Sequence, residues 1–264
     1  FQAGNDITLS NITNSIFADV NVTAGHDILV PTGASSSLTN AQIILDAGNN
    51  ITFADGNTQL QADTLSITLN AGNEIQLGRL SADSIIINAS NGVQSAPGLL
   101  PGNSNLQAFS PPAPVNVDLT SENGSINLSI NQLGNLNLNA GNATLQNQGD
   151  IATLGAINVT NDFRLDNQGQ VALDPFQLRQ AGQNFVVNAS TNISFDVVQG
   201  GTQIQGSTVL LQAGNDISTV GFSEGFSPVI NATNVGASAV GSIDSQIQFS
   251  ATNVALSAGT GDID

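Results

Sequence analysis

The sequence predicts an all-β protein, a right-handed parallel β-helix (solenoid) of about 11–12 coils with essentially no α-helix. Three observations support this fold class. A glycine-containing corner motif recurs every two dozen residues or so, apolar and polar residues alternate around each copy, and no segment shows a sustained helical period. Because 40% of the residues are hydrophobic, the chain has enough apolar side chains for a core.

The corner motif is Ala-Gly-Asn-Asp-Ile at residues 3–7 and again at residues 213–217. Variants begin at Ala24, Ala47 and Ala71, which follow the preceding copies by 21, 23 and 24 residues. We expect the glycine to supply the positive φ of a sharp corner, and Asn also tolerates that conformation. This period fits one coil of a parallel β-helix and is too short for a propeller blade of roughly 40–50 residues.

Strands are predicted on both sides of each corner. Ile67 and Leu69 are separated by a polar residue before one corner, and Ile75 and Leu77 are separated by another after it. Alternation of this kind is typical of a strand with one buried face. Coils stacked about 4.8 Å apart would align equivalent positions in columns, apolar ones forming the core and Asn ones forming amide ladders. The hand follows from the chirality of parallel crossovers.

We predict one β-helix domain over residues 1–264, with a Pro-rich loop inserted at residues 94–114. Proline cannot donate to a strand ladder, so this segment should leave the wall of the solenoid. Loops on a rigid scaffold often carry binding residues. The candidate ligand or partner residues are therefore Leu99, Leu100, Leu106 and Phe109. The alternative is that these side chains simply cover the wall.

Composition excludes several classes of function. Only 9% of the residues are charged, Lys does not occur, and the formal net charge is −17. Nucleic-acid binding needs basic side chains that release phosphate counterions, so we exclude it, and an anionic membrane surface is unattractive for the same reason. Without Cys, the redox compartment cannot be inferred. Because the first and last residues both fall within the repeat pattern, we expect a piece of a longer chain.

The corner motif also contains the candidate metal ligands. His26 replaces an Asn in one copy, and since no second His and no Cys accompany it, we expect a structural role in the turn. Acidic residues follow several corners: Asp6, Asp27, Glu74, Asp150, Asp216 and Asp262. Aligned carboxylates would repel one another, and calcium would relieve the repulsion. The regular Asp spacing of a calcium-binding nonapeptide repeat is missing, so we expect no metal or cofactor, with calcium as the alternative.

Catalysis is the other chemistry that we considered. Asp162 and Asp166 lie near Arg164, with Asp174 and Arg179 downstream, and paired carboxylates can hydrolyse glycosidic bonds. However, the sequence lacks Trp and Tyr, which stack on sugar rings, and it lacks Lys as a base. We therefore predict no catalytic residue and no enzyme activity, and a carbohydrate-active β-helix enzyme is the less favoured alternative.

The repeated Ala-Gly-Asn-Asp-Ile turns, the phrase Ile-x-Leu-x-Ala-Gly-Asn at residues 67–73 and the richness in Asn, Ser, Thr and Gln resemble exoproteins of the filamentous-haemagglutinin type. These are large proteins of two-partner secretion in Gram-negative bacteria, including cyanobacteria. The resemblance covers nearly the whole chain except residues 94–114. It implies a right-handed parallel β-helix, export through an outer-membrane transporter, and a role as an adhesin, toxin-delivery stalk or matrix component. The Asn-Pro-Asn motifs of the family's secretion domain are missing, so the chain resembles the shaft.

The function predicted from the sequence is an extracellular structural or adhesive shaft of a cell-surface exoprotein or matrix component. Its partners would be host-surface or matrix glycans and proteins. The alternative is a subunit of a self-assembling extracellular filament with head-to-tail contacts, because an open β-helix end is an unpaired strand edge.

Overall fold

The structure is a computed structural model, and it describes residues 1–10, 12–13, 19–34, 36–39, 41–63, 65–100, 103–108, 114–149, 151–175, 177–196, 203–221, 227–244 and 246–263. The described residues form strands and turns with no helix. The strands are parallel and stack as a β-solenoid of about 10 turns, which confirms the predicted fold class. The right-handed sense stays a prediction. Among the described residues no helix is long and apolar enough to cross a membrane.

The chain forms two compact units, residues 1–134 and residues 135–264. The strands of the first unit are β1 (Gln2–Ala3), β2 (Ile7–Thr8), β3 (Ile12–Thr13), β4 (Val20–Ala24), β5 (Ile28–Val30), β6 (Ser36–Thr39), β7 (Ile43–Ala47), β8 (Ile51–Phe53), β9 (Gln59–Asp63), β10 (Ser66–Ala71), β11 (Glu74–Leu77), β12 (Arg79–Ser81), β13 (Ser84–Ala89), β14 (Gly92–Ser95), β15 (Leu106–Gln107) and β16 (Val115–Asn131).

The second unit contains nearly all of β17, which starts two residues before the boundary. Its strands are β17 (Leu133–Asn147), β18 (Ile151–Val159), β19 (Phe163–Asn167), β20 (Gln170–Leu173), β21 (Leu178–Ala181), β22 (Asn184–Ala189), β23 (Ile193–Asp196), β24 (Gln203–Ala213), β25 (Ile217–Val220), β26 (Val229–Ala239) and β27 (Gln248–Ala258).

In the first unit each coil contributes strands to three parallel ladders. Strand β10 pairs with β7 and β13, β11 pairs with β8 and β14, and β12 pairs with β9 and β15. The registers align the Ala that precedes each corner, so that Ala3, Ala24, Ala47, Ala71 and Ala89 form one column. A small side chain is needed there because the chain turns immediately afterwards.

In the second unit the motif copies occupy two different corners. Ala213 aligns with Ala239, which aligns with Ala258. Ala181 instead aligns with Val159 in another ladder, beside Gly182. The repeated motif therefore marks a type of corner, and a coil can contain it at either of two places. The period that we derived from the sequence treated the copies at both places as one series.

Coil lengths vary more than the sequence period indicates. In the first unit the step from Ala3 to Ala24 is 21 residues, whereas the step from Ala71 to Ala89 is 18 and the step from Ala89 to Ser121 is 32. The longest coil contains the Pro-rich segment. The solenoid consequently has about 10 turns, against the 11–12 that we expected from a uniform period.

Inward-facing columns of Ile, Leu, Val and Phe form the core of each unit. In the first unit Ile28, Ile51 and Ile75 stack in register with no exposed surface. In the second unit the rings of Phe163 and Phe185 stack with centroids 4.8 Å apart. Each such side chain contributes about 1.5–3 kcal/mol through burial, so every coil depends on its neighbours.

The corner glycines have a different role from the one that the sequence indicated. Among the described residues, glycines with positive φ are Gly33, Gly98 and Gly221, and none of them belongs to an Ala-Gly-Asn motif. A Cβ on the motif residues Gly48 and Gly72 would instead lie closer than 3.0 Å to the backbone carbonyl of the glycine in the preceding coil. Glycine is required because two coils approach each other closely at the corner.

The Pro-rich segment leaves the wall only in part. Residues 97–98 form a turn, but Leu106 lies in β15 and aligns with Leu80 and Ile130 of the neighbouring coils. Within residues 94–114, Gln94 and Ser95 belong to β14, and Leu106 and Gln107 form β15. Two proline-rich parts of the segment flank a strand that keeps its apolar side chain in the core.

Candidate functional site

The described residues among the four predicted to bind a ligand differ in exposure. Leu106 is fully buried in β15, Leu99 is half-buried, and the side chain of Leu100 is 58% exposed. Phe109 lies outside the described residues. Among the described leucines of the predicted loop, Leu100 is the one exposed to a partner, whereas Leu106 belongs to the wall itself and faces the core.

The turn that contains Leu99 is held down by a neighbouring turn. The Gly56 N–H donates to the carbonyl of Pro97 at 2.7 Å, and the Asn57 amide donates to the carbonyl of Gly98 at 2.7 Å. The side-chain oxygen of Asn57 accepts a hydrogen bond from the backbone N–H of Leu100 at 3.2 Å. These bonds use groups that a free loop would offer to a ligand.

The acidic column has a structural explanation. The Asp6 carboxylate accepts the backbone N–H of Asp27 at 3.1 Å, and the Asp27 carboxylate accepts the backbone N–H of Asn50 at 2.9 Å. In the second unit Asp216 accepts the backbone N–H of Ser242 at 2.7 Å. An oxygen-bearing side chain after the corner therefore bonds the equivalent residue of the following coil.

Carboxylates rarely follow one another in this column. Asp27 is followed by Asn50 in the next coil, and Asp216 is preceded by Asn192 and followed by Ser242. Asp150 lies outside the described residues. Asn and Ser accept the same hydrogen bond without charge, so the described column has little like-charge repulsion for a calcium ion to relieve.

Asp6 and Asp27 are the exception, and His26 lies between them. The His26 Nδ1 atom is 3.1 Å from a carboxylate oxygen of Asp6 and 3.0 Å from one of Asp27. The three side chains are close enough to hold one metal ion. Their polar atoms already have partners, since Asp27 also accepts the amide of Asn49 at 2.9 Å. Hydrogen bonds account for the cluster, and the structural role of His26 stays a prediction.

These contacts change the acidity of Asp27. Partial burial acts to raise the pKa of its carboxyl, but the backbone N–H of Asn50, the charge of His26 and the amide of Asn49 outweigh burial. The pKa of Asp27 is consequently held below its usual value. Asp27 is therefore ionised at neutral pH and serves as a hydrogen-bond acceptor.

The carboxylates considered for catalysis are each held by a structural partner. Arg164 donates two hydrogen bonds to Asp166, at 2.7 and 2.8 Å, and Asn188 donates another. Burial opposes ionisation of Asp166, but the Arg164 and Asn188 bonds hold the pKa of its carboxyl below the usual value. Asp162 accepts the side-chain amide of Asn184 at 2.7 Å. A general acid needs a raised pKa, and Asp166 has a lowered one.

Arg179 is inside the solenoid. Its side chain has no exposed surface and lies in a column between Ile157 and Ile204. The guanidinium donates to the backbone carbonyls of Leu154 and of Gln177, the latter at 3.0 Å, and also to that of Asp174 at 2.9 Å.

Burial lowers the pKa of Arg179 to about 10, although the charge of Asp174 opposes the shift, and the group remains a cation at neutral pH. Sequence reasoning missed its burial. Alternation backwards from the buried Ala181 would have indicated it, because residues two apart face the same side of a strand.

Shallow axial grooves are a second feature that the sequence analysis missed. One described groove has a volume of about 580 Å³ and lies in the second unit. A smaller one, of about 300 Å³, lies in the first unit. Both contain a repeated triplet: an amide or another polar residue at the end of a strand, a small residue, and a Gly, Ser or Thr. Examples are Asn70-Ala71-Gly72, Asn88-Ala89-Ser90 and Gln180-Ala181-Gly182.

Compared with protein-family models, with curated proteins and with solved structures, the chain gives no match. The class of protein that the fold defines is a parallel β-solenoid.

Proposed function

We propose that this chain is part of the extracellular shaft of a cell-surface exoprotein of the filamentous-haemagglutinin type, with a structural or adhesive role. The observation that carries the proposal is the stacking of parallel coils in register over about 10 turns. A solenoid of this kind gives a stiff scaffold whose length is set by the number of coils. The Ala-Gly-Asn-Asp-Ile corners and the Asn-rich coil surface support the likeness to that type.

The outward-facing side chains favour a structural role over catalysis. Amides bond between successive coils, as Asn70 does with Asp46 at 2.6 Å and Asn88 does with Asn70 at 2.9 Å. Such bonds link neighbouring coils along the surface and need no charged side chains. The pairing of Asp166 with Arg164 likewise supports a structural part for that carboxylate.

In this proposal the protein is secreted through an outer-membrane transporter and remains associated with the cell surface. Immunogold electron microscopy of intact cells and of their medium, with antibodies against residues 1–264, tests it. We expect gold on thin rods at the cell surface. Label confined to the cell interior would contradict the proposal.

The same micrographs separate the shaft from the alternative of a head-to-tail filament subunit. One labelled zone on each rod would indicate a section of a single long exoprotein. Label repeated at a constant interval along an unbranched fibre would instead indicate assembled copies, and the shaft proposal would then be replaced by the filament.

A further inference from the structure

We infer that the 580 Å³ groove of the second unit binds a neutral, extended glycan chain along the direction in which the coils stack. The groove crosses four coils and is lined by Asn158, Val159, Thr160, Gln180, Ala181, Gly182, Gln205, Gly206, Ser207, Asn231 and Thr233. The inference gives the proposed adhesive shaft a partner of defined chemistry, and it rests on that function for its biological setting only.

One wall of the groove is a row of side-chain amides. Asn158 aligns with Gln180, Gln180 with Gln205, and Gln205 with Asn231. Gln180 donates to Asn158 at 2.6 Å, whereas the side chains of Gln205 and Asn231 have no hydrogen-bond partner within the part of the chain that the structure describes. Each amide can donate two hydrogen bonds and accept two, so this wall retains capacity for a ligand's hydroxyl groups.

The small residues of the groove and its opposite wall leave room for a ligand. Ala181 and Gly206 also line the groove, each directly after a residue of the amide wall. Ala181 is buried in the core and Gly206 has no side chain, so neither projects into the groove. The opposite wall contains the hydroxyls of Thr160, Ser207 and Thr233. Ser207 donates to the carbonyl of Gly182 at 3.0 Å, which leaves its oxygen as an acceptor. Both walls therefore present hydrogen-bond donors and acceptors along the groove.

Charge restricts the kind of glycan. None of the eleven lining residues is ionisable, and the whole chain has a formal net charge of −17. A sulfated or uronic-acid polymer would be repelled by this charge and would find no Arg or Lys in the groove. An uncharged glycan is not repelled by the acidic chain, and its hydroxyl groups need no Arg or Lys as partners.

The spacing favours a polymer over a single sugar. Equivalent side chains in stacked coils recur about every 4.8 Å along the groove. An extended β-linked hexose chain advances by a similar step for each sugar, so one sugar can lie beside each coil. The lining contains no aromatic ring, so each sugar contributes only hydrogen bonds, and affinity has to accumulate over several coils.

Isothermal titration of the purified 264-residue chain with cello-oligosaccharides of increasing length tests the inference. We expect no measurable binding of the disaccharide, and affinity that rises with length until the four coils are covered. A heparin-derived oligosaccharide of matched length should not bind. Absence of binding by all the neutral oligosaccharides at millimolar concentration, or tighter binding of the polyanion, would overturn the inference.

Variants locate the site. The double variant Gln180→Ala with Gln205→Ala removes two amides from the wall, and we expect affinity to fall about thirtyfold, since each net hydrogen bond contributes about 1 kcal/mol. Gln212→Ala is the matched control, because Gln212 lies in the same strand as Gln205 but lines a different groove. Circular dichroism verifies the fold of each variant.

Equal affinity of the double variant and the control would assign binding to another surface and overturn this site. If the titration shows no glycan binding, the proposal of a cell-surface shaft is unaffected, because that proposal is tested by immunogold localisation. Label confined to the cell interior would contradict the shaft and leave a titration result unchanged.

Discussion

At the residue scale, stability depends on polar groups that are matched within and between coils. Asp55 shows this within a turn, where its carboxylate accepts the backbone N–H of Asn57 at 2.7 Å and that of Thr58 at 3.0 Å. Arg179 shows it in the core, where backbone carbonyls replace the water that burial removes. A buried charge without such partners would be strongly destabilising.

Asp55 should give the protein a defined sensitivity to acid. The Asn57 hydrogen bond is the main cause of its lowered pKa; burial opposes it, and the bonds from Thr58 and Thr32 add to the lowering. Because the folded pKa is lower than the unfolded one, this stabilisation is present above about pH 4 and is lost as the pH falls through the folded pKa.

We therefore expect Asp55→Ala to lower the free energy of unfolding by about 1 kcal/mol at neutral pH, and by less at about pH 2. Urea denaturation at both values measures the difference. Asp83→Ala is the control, since Asp83 is exposed and its side chain has no hydrogen-bond partner among the described residues. A loss for Asp55→Ala that is equal at both pH values would contradict the role of the ionised carboxylate.

Arg179→Leu should destabilise the second unit by about 3 kcal/mol, because the carbonyls of Leu154, Asp174 and Gln177 lose their donor. Ile204→Leu in the same column is the control and should cost less than about 1.5 kcal/mol. Denaturant midpoints compare the two variants. If Arg179→Leu were as stable as the control, the carbonyls would be satisfied without the guanidinium.

At the scale of the element, the corner determines how closely coils can stack. The carbonyl of Gly25 faces Gly48, and the carbonyl of Gly48 faces Gly72, so that each Cβ position is filled by backbone of the preceding coil. The strand before the corner ends in a small buried residue, and an oxygen-bearing side chain after the corner accepts the next coil's N–H. Three positions of the motif Ala-Gly-Asn-Asp, the Ala, the Gly and the Asp, thus each meet one structural requirement.

Gly48→Ala should be strongly destabilising, by about 2–4 kcal/mol, because a backbone carbonyl cannot move away without separating two coils. Gly4→Ala is a matched control at the equivalent position, where nothing described lies within 4 Å of a Cβ. Thermal melts of the two variants provide the comparison. Similar melting temperatures would show that the corner relaxes easily and that close approach does not explain the glycine.

At the scale of the whole molecule, the unusual property is a large charge of one sign. The chain has twenty acidic residues and only three arginines. Its other polar side chains are mostly neutral amides and hydroxyls. Like charges on a folded chain repel one another and oppose compaction. The described pairs that relieve this repulsion are few, with Arg164–Asp166 as an example.

Added sodium chloride should therefore raise the melting temperature at neutral pH. The screening length falls from about 30 Å at 0.01 M to about 3 Å at 1 M, which weakens repulsion among the carboxylates more than it weakens the few ion pairs. Calorimetry over this range of salt measures the effect. A melting temperature that falls with salt would mean that attractive ion pairs dominate.

Much of the fold could be predicted because its signals are local. Two local patterns predict a stack of parallel coils. Apolar and polar residues alternate around Ile67 and Leu69, and the Ala-Gly corner recurs immediately before Asn49 and Asn73. The inward columns and the amide ladders follow from the same pattern, and the structure contains both. The alignment of Asp6 with Asp27 in adjacent coils was also predicted, because the two residues occupy equivalent positions in successive copies of the motif.

The grooves and the buried cation could not be predicted in the same way. Whether Ala181 and Ala213 share a corner depends on the lengths of the segments between them, and coils of 18 and of 32 residues occur in one unit. The amides of Gln180 and Gln205 become one wall only when their coils are aligned.

The sequence by itself determined the repeating coil, the inward face of most strands and the identity of the corner residues, because period-two alternation and turn chemistry act over a few neighbouring residues. Only the tertiary structure decided which corners align, why the corner residue is glycine, and that Arg179 faces the core. Those properties depend on contacts between coils. Such contacts join residues about twenty positions apart, and no local pattern specifies their register.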